Sequence, residues 1–173
     1  MNACNFARIR LFTAMLLSSY TFVSLQPQAP NASSADADRK SALAVVQALF
    51  DAMAAKDVEA TRRITMPEAR FYAVGEKDGK PRIVRTFTTD DHLKDLAAAK
   101  SSLRERMWNP EVRVRGFIAS VWTPYDFWVD GKFSHCGIDV FDLIKTEEGW
   151  RIAGGVFTVD PKCEPSPLGP LKQ

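Results

Sequence analysis

Two glycine turn signals constrain the second half of this chain, Asp130-Gly131 and Glu148-Gly149. They separate long stretches rich in β-branched and aromatic residues, 112–128, 133–145 and 150–159. Long strands joined by tight glycine turns make an antiparallel meander. Upstream the period changes. Ser41 can cap a helix in which Leu43, Val46, Phe50 and Met53 recur every three or four residues, with Val45, Leu49 and Ala52 widening the stripe. Lys56-Asp57 interrupts it, and Asp57 can cap a shorter helix over 60–64 that Pro67 closes off. Residues 70–75 and 82–87 read as two short strands joined through Lys77-Asp78-Gly79-Lys80. A third helix is expected from Thr88 or Thr89, with Asp90 and Asp91 in its positive first turn. It runs through Leu93, Leu96, Ala97, Leu103 and Met107, carries Lys100, Arg104 and Arg106 near its negative end, and stops at Asn109-Pro110. Helices first and long strands last argue for an α+β fold with helices on one face of a bent sheet.

At the N-terminus, Arg8 and Arg10 precede an apolar run over 11–25, the pattern of a secretory leader. That run is shorter than the roughly 20 apolar residues a bilayer needs, and Ser18, Ser19, Thr21 and Ser24 dilute it. Export to a periplasm or beyond is therefore expected, with no stable membrane anchor once the leader is removed. Residues 26–37, rich in Pro, Ala, Ser and Asn, read as a flexible spacer. The domain proper is expected over 38–160, followed by an irregular Pro-rich tail over 161–173.

Of 23 Lys and Arg, two lie in the leader, leaving 21 against 21 Asp and Glu. Such a balance gives no electrostatic footprint for nucleic acid. No phosphate-binding glycine loop, nucleophile elbow or paired C-x-x-C is present, and no cofactor is implied. A His135-Cys136-x-x-Asp139 metal set fails on strand parity, because Cys136 points away from the other two. Beyond the leader, Cys136 and Cys163 form an even pair. Two readings stay open: a disulfide worth roughly 3 kcal/mol from the loop it closes, or two free thiols with Cys136 a small buried hydrophobe.

Taken together, Ala119-Ser-Val-Trp-Thr-Pro-Tyr-Asp-Phe, Asp130-Gly, Ser134-His-Cys-Gly-Ile-Asp-Val-Phe-Asp-Leu and Gly149-Trp-Arg-Ile resemble the nuclear-transport-factor-2-like superfamily. Within it the chain looks most similar to the exported bacterial SnoaL-like, or "putative lumazine-binding", group, over roughly 38–160. The resemblance implies a cystatin-like α+β roll, a cone-shaped curved antiparallel sheet wrapped around three helices and a deep pocket, often as a homodimer. Its members include isomerases, dehydratases and cyclases beside proteins without known chemistry, so fold alone selects no activity.

Strand parity then nominates a lining. Phe117, Ala119, Val121, Tyr125 and Phe127 share one face of the long strand, and His135, Gly137, Asp139, Phe141 and Leu143 share one face of the next. A three-residue loop 129–131 would set Tyr125 opposite His135, Val121 opposite Asp139 and Ala119 opposite Phe141, gathering the more apolar set inward. A two-residue loop would pair Asp126 with His135 instead, and a one-residue slip exchanges the faces. In the preferred register Tyr125, His135 and Asp139 are the candidate acid–base groups in a wall of Phe117, Val121, Phe127, Phe141 and Leu143, with Tyr72 and Arg113 as candidate ligand contacts. His135 and Asp139, four residues apart on a strand, stand about 13 Å apart at Cα and form no direct dyad. His92 reads as solvated and Asp126 and Asp142 as exposed or interface carboxylates. Trp122, Trp128, Ile138 and Val140 leave an apolar outer face suited to a dimer. Three functions fit: an exported protein whose pocket binds a small, largely apolar molecule; a cofactor-independent isomerase, dehydratase or cyclase using His135, Tyr125 and Asp139; or a non-catalytic dimeric interaction module.

Overall fold

The computed structural model describes residues 32–163 and 166–171. The expected leader, 1–25, lies outside them. Three helices, α1 (Ala32–Ala55), α2 (Val58–Ile64) and α3 (Thr89–Ala98), accompany seven strands: β1 (Thr65–Lys77), β2 (Lys80–Thr88), β3 (Leu103–Met107), β4 (Glu111–Arg115), β5 (Ile118–Val129), β6 (Lys132–Thr146) and β7 (Gly149–Val159). The strands form one curved, unclosed sheet in the order β2-β1-β7-β6-β5-β3, with β4 pairing the other half of β5's edge. Every pairing is antiparallel except β1 with β7. The helices lie in its concavity. Val46, Phe50 and Met53 of α1 meet Phe71, Val121, Phe141, Leu143 and Ile152 there to make the core.

Helix α1 begins nine residues before the expected Ser41 cap, so residues 32–37 of the expected spacer are helical. Alanine-rich composition favours this, an Arg39–Asp36 ion pair one turn apart supports it, and Lys145 Nζ docks it by donating to Asp38 at 2.5 Å. Helix α2 is capped as expected, the Asp57 carboxylate accepting from the Ala60 amide at 2.8 Å. Helix α3 opens on a capping box: Asp91 N donates to the Thr88 hydroxyl at 3.2 Å while Thr88 N donates to the Asp91 carboxylate at 3.0 Å.

The second half of the expected third helix is instead a strand. Leu103 and Met107 are four apart, a spacing that suits both a helix face and a strand face, and Leu103-Arg104-Glu105-Arg106-Met107 alternates with period two. A distant turn decides between them. Asp130 accepts from the Ser102 amide at 2.8 Å and donates its own amide to Ser102 O at 3.0 Å, drawing the chain alongside β5. The expected single strand 112–128 is likewise two. Gly116, at φ +58°, turns the chain at Gly116-Phe117, and β4 folds back on β5.

The β5–β6 hairpin combines elements of both registers considered for it. The turn is the two-residue Asp130-Gly131, both at positive φ, so Val129 pairs with Lys132 and Trp128 with Phe133. A bulge then inserts Ser134, and from Phe127↔His135 onward the register is displaced by one more residue. Tyr125 consequently faces Gly137 rather than His135, Thr123 rather than Val121 faces Asp139, and Val121 rather than Ala119 faces Phe141. The face parity of the preferred register is nonetheless preserved.

Cys136 and Cys163 are bridged, with Cα atoms 6.0 Å apart, tying the start of the tail to β6. Arg106 holds the tail further along by donating to Gly169 O at 2.7 Å.

Candidate functional site

Between the helices and the inner wall of the sheet lies a cavity of about 270 Å3. Phe50, Phe71, Phe87, Phe127, Phe141 and Phe157 line it, together with Leu49, Met53, Leu96 and Leu103. The polar groups that reach it are Glu105, Tyr125, His135, Asp139 and His92. Arg85 and Asp95, ion-paired to each other and half exposed, span β2 and α3 at its solvent side.

Of the residues nominated from sequence, Tyr125, Phe127, His135, Asp139 and Phe141 line this cavity. Phe117, Val121, Leu143, Tyr72 and Arg113 do not. Phe117 is 74% exposed at the β4–β5 turn, because the chain reverses there instead of continuing as strand. Val121 and Leu143 are on the expected face but are sealed in the core beneath α1. Tyr72 lies on the opposite face of β1 from Phe71. Arg113, expected near the pocket, projects from β4 into solvent beside Glu111. His92, expected to be solvated, lies instead against Phe87, ring centroids 5.9 Å apart, and its Nε2 is buried.

Tyr125 is almost wholly buried, and its hydroxyl donates to Thr158 O at 2.7 Å. It reaches β7 across β6 at the one residue opposite it without a side chain, Gly137. That proton is therefore already committed. Burial, followed by the nearby Asp139 and Glu105 charges, raises the phenol above its ordinary range. His135 stacks obliquely on Phe127 at 5.1 Å, its Nδ1 3.0 Å from the Ser134 hydroxyl. Burial lowers its pKa, as it does for His92, so both rings are neutral at pH 7. The expected trio thus shares one cavity, with the hydroxyl engaged elsewhere.

The dominant polar feature is one that sequence reasoning missed. Glu105, on β3, meets Asp139, on β6, within hydrogen-bonding reach. Burial pushes Glu105 up to about 8, partly offset by its hydrogen bond to Asp139 and reinforced by the charge of Asp126. Asp139, only 2% exposed, is raised well above its ordinary value by burial and then by Glu105. Two carboxyls in apolar surroundings cannot both ionise at such proximity, so at pH 7 they hold a proton between them. Asp139 Oδ2 and His92 Nε2 are buried with no hydrogen-bond partner among the described residues.

On the outer face behind this pair, Asp126 is completely buried, contrary to the exposed position expected for it. Arg106 grips it with both Nε, at 2.9 Å, and a terminal nitrogen, at 2.5 Å, and also lies over the Trp128 ring. Among the described residues no group of three His, Cys, Asp or Glu is placed to hold a metal ion. None of the described helices is long and apolar enough to cross a membrane.

A curved sheet closing over helices around an aromatic cavity, with a few polar groups turned inward, defines an NTF2-like α+β fold. The chain belongs to the family described as "Putative lumazine-binding", whose profile matches residues 37–158. Solved structures share the fold at low identity. One is the β subunit of a "putative aromatic-ring-hydroxylating dioxygenase" from Novosphingobium aromaticivorans, with 14% identity, 80% of this chain and 99% of that one covered, and a TM-score of 0.62. Another is an NTF2-like superfamily protein from Salmonella enterica, at 12%, 76% and 97%, and 0.58. A third is a "putative dehydratase" of the NTF2-like family from Streptomyces avermitilis, at 15%, 72% and 96%, and 0.56. No functionally curated protein matches the sequence.

Proposed function

We propose that this is an exported protein that binds one small, largely apolar, aromatic-sized molecule in the cavity between its helices and sheet. The single observation carrying this reading is the cavity itself, six phenylalanines around about 270 Å3, with two buried polar atoms inside it that the protein leaves unpaired. Small-molecule sites combine an apolar wall with a few convergent polar groups. The family description supports a compact heterocycle as the kind of ligand. Export rests on the leader pattern, and the Cys136–Cys163 bridge fits an oxidising compartment. Native mass spectrometry of protein purified from its own host tests the reading. A low-mass adduct released on denaturation is expected; bare protein that also fails to bind any added aromatic would overturn it.

The Glu105–Asp139 pair favours a second reading, cofactor-independent acid–base chemistry of the isomerase, dehydratase or cyclase kind. A carboxyl that titrates near neutrality is a competent proton donor and acceptor. One similar fold bears the name of a dehydratase. In this reading Asp139 with Glu105 moves the proton, and His135, Tyr125 and His92 position the substrate. Loss of turnover in Asp139→Asn with ligand affinity retained would support it.

Self-association through the outer face of the sheet is also proposed. Ile118, Trp122, Ile144 and Val156 are exposed there in adjoining rows. The cross-strand row Arg113–Ser120–Asp142 places opposite charges either side of a small residue, so a copy turned by a two-fold axis meets its complement. Trp122→Glu is expected to convert a dimer to a monomer in light scattering; a wild-type monomer would refute the idea.

A further inference from the structure

The hydrogen-bonding groups around the cavity do not balance. In its lining, the Tyr125 hydroxyl donates outward to Thr158 O at 2.7 Å, and the Arg85 guanidinium is taken by Asp95 at the solvent side. Thr123, opposite Asp139 in the β5–β6 pairing, turns its hydroxyl to the carbonyls of Trp108 and Pro124 at 3.2 and 3.0 Å. Arg106, next to Glu105 on β3, is spent on Asp126 and Gly169 O. Acceptors are left over. Glu105 and Asp139 both line the hollow, and Asp139 Oδ2 is buried without a donor. An oxygen stripped of water and given no donor is costly, and the group that fills the space beside it can supply the missing hydrogen bond.

We propose that the cavity takes an aromatic molecule with an N–H or O–H on its edge, a heteroaromatic N–H or a phenol, which donates to Asp139, and that molecules of the same shape whose edge only accepts bind no better than a hydrocarbon. This rests on the binding reading above and specifies its ligand class.

The sign of the contact follows from the inventory of groups. A carboxylate offers acceptors only, and two carboxyls that share one proton still keep one unengaged oxygen each. The need for a donor therefore persists whether or not that proton is present. A hydrocarbon would leave Oδ2 as it stands in the empty fold. An acceptor-only edge would set a second lone pair against the first in surroundings with little water to screen them. A donor forms the bond, while the phenylalanine wall takes the aromatic body. His92 Nε2, the other buried atom without a partner, does not decide the sign, because a neutral imidazole has one N–H and one acceptor nitrogen. It lies on α3 whereas Asp139 lies on β6, and so offers the ligand a polar contact from a second element.

The test uses three probes of one size and shape on the intact protein: indole, with a ring N–H; benzofuran, with an acceptor oxygen in its place; and indene, with carbon. Each is titrated by calorimetry at pH 7. Indole is expected to bind at least tenfold more tightly than indene, and benzofuran no more tightly than indene. Asp139→Leu, which removes the acceptor and keeps an apolar side chain of similar size, should bring indole and indene to the same affinity. Retention of the tenfold advantage in that variant overturns the assignment to Asp139, and the ranking on wild-type protein decides the ligand class if the variant does not fold. Indole binding no better than indene, or benzofuran binding as tightly as indole, overturns this inference and leaves the binding reading standing. Failure of every probe to bind overturns the binding reading and this inference with it.

Discussion

Glu105 and Asp139 belong to strands on opposite sides of β5, level with Phe127 and with Thr123 respectively, yet their carboxyls meet. On a flat sheet, two strand spacings and four residues of rise would hold them apart by well over 10 Å. Their contact measures how tightly the sheet curls, and the curl brings both carboxyls to the cavity.

The pair gives stability a defined pH dependence. Both carboxyls hold protons more tightly in the fold than in the unfolded chain, so for Glu105 the folded state carries the extra proton between its ordinary value of 4.5 and about 8. Stability falls as pH rises through that window. His92 and His135, lowered by burial, act oppositely, but only below their ordinary 6.5. From pH 6.5 to 9 the thermal midpoint should therefore decline, and Glu105→Gln/Asp139→Asn should flatten the decline. A wild-type midpoint that rises over this range would show that the carboxyls hold no extra proton.

Removing one partner of the Arg106–Asp126 ion pair strands a buried charge. Asp126→Ala should cost about 3 kcal/mol in urea denaturation, whereas Arg106→Met/Asp126→Leu together should recover most of it. A loss in the double variant equal to the sum of the single losses would argue against coupling between them.

The Cys136–Cys163 bridge closes a loop whose ends are 27 positions apart in sequence, worth about 3 kcal/mol by restricting the unfolded chain. Cys163→Ser should lower the denaturation midpoint accordingly while leaving probe binding in the cavity intact, since neither cysteine lines it.

Gly137 leaves no room for a methyl group. A Cβ there would collide with the carbonyl of Thr158, the same oxygen that accepts from Tyr125. Gly137→Ala should destabilise the fold by about 1–3 kcal/mol and weaken ligand binding as Tyr125 is displaced. Unchanged melting would exclude the close packing described.

Much of the fold was legible because its signals are local. The glycine turns, the Asp57 and Thr88 caps and the two-residue period of β6 and β7 each act within a few positions. Strand parity also brought Tyr125, Phe127, His135, Asp139 and Phe141 to one wall. What escaped was decided at a distance. Leu103 and Met107 satisfy both helical and strand spacing, and the choice falls to Asp130, nearly thirty residues on, binding the backbone of Ser102. With β3 misread as helix, Glu105 was invisible as the partner of Asp139. Phe117 was misplaced because a strand appeared to run through Gly116. Val121 and Leu143 have the right parity, but α1 fills that end of the concavity, and parity carries no information about what packs above it.

The extra residue at Ser134 has a consequence for how such a wall can diversify. Turn and bulge act as a matched pair, and losing one residue from the bulge alone would turn His135, Asp139 and Phe141 toward solvent while sending Cys136 and Val140 inward. Substitution can therefore retune what the hollow accepts one side chain at a time, whereas a single-codon deletion there would invert the wall and sever the bond to the tail in the same step.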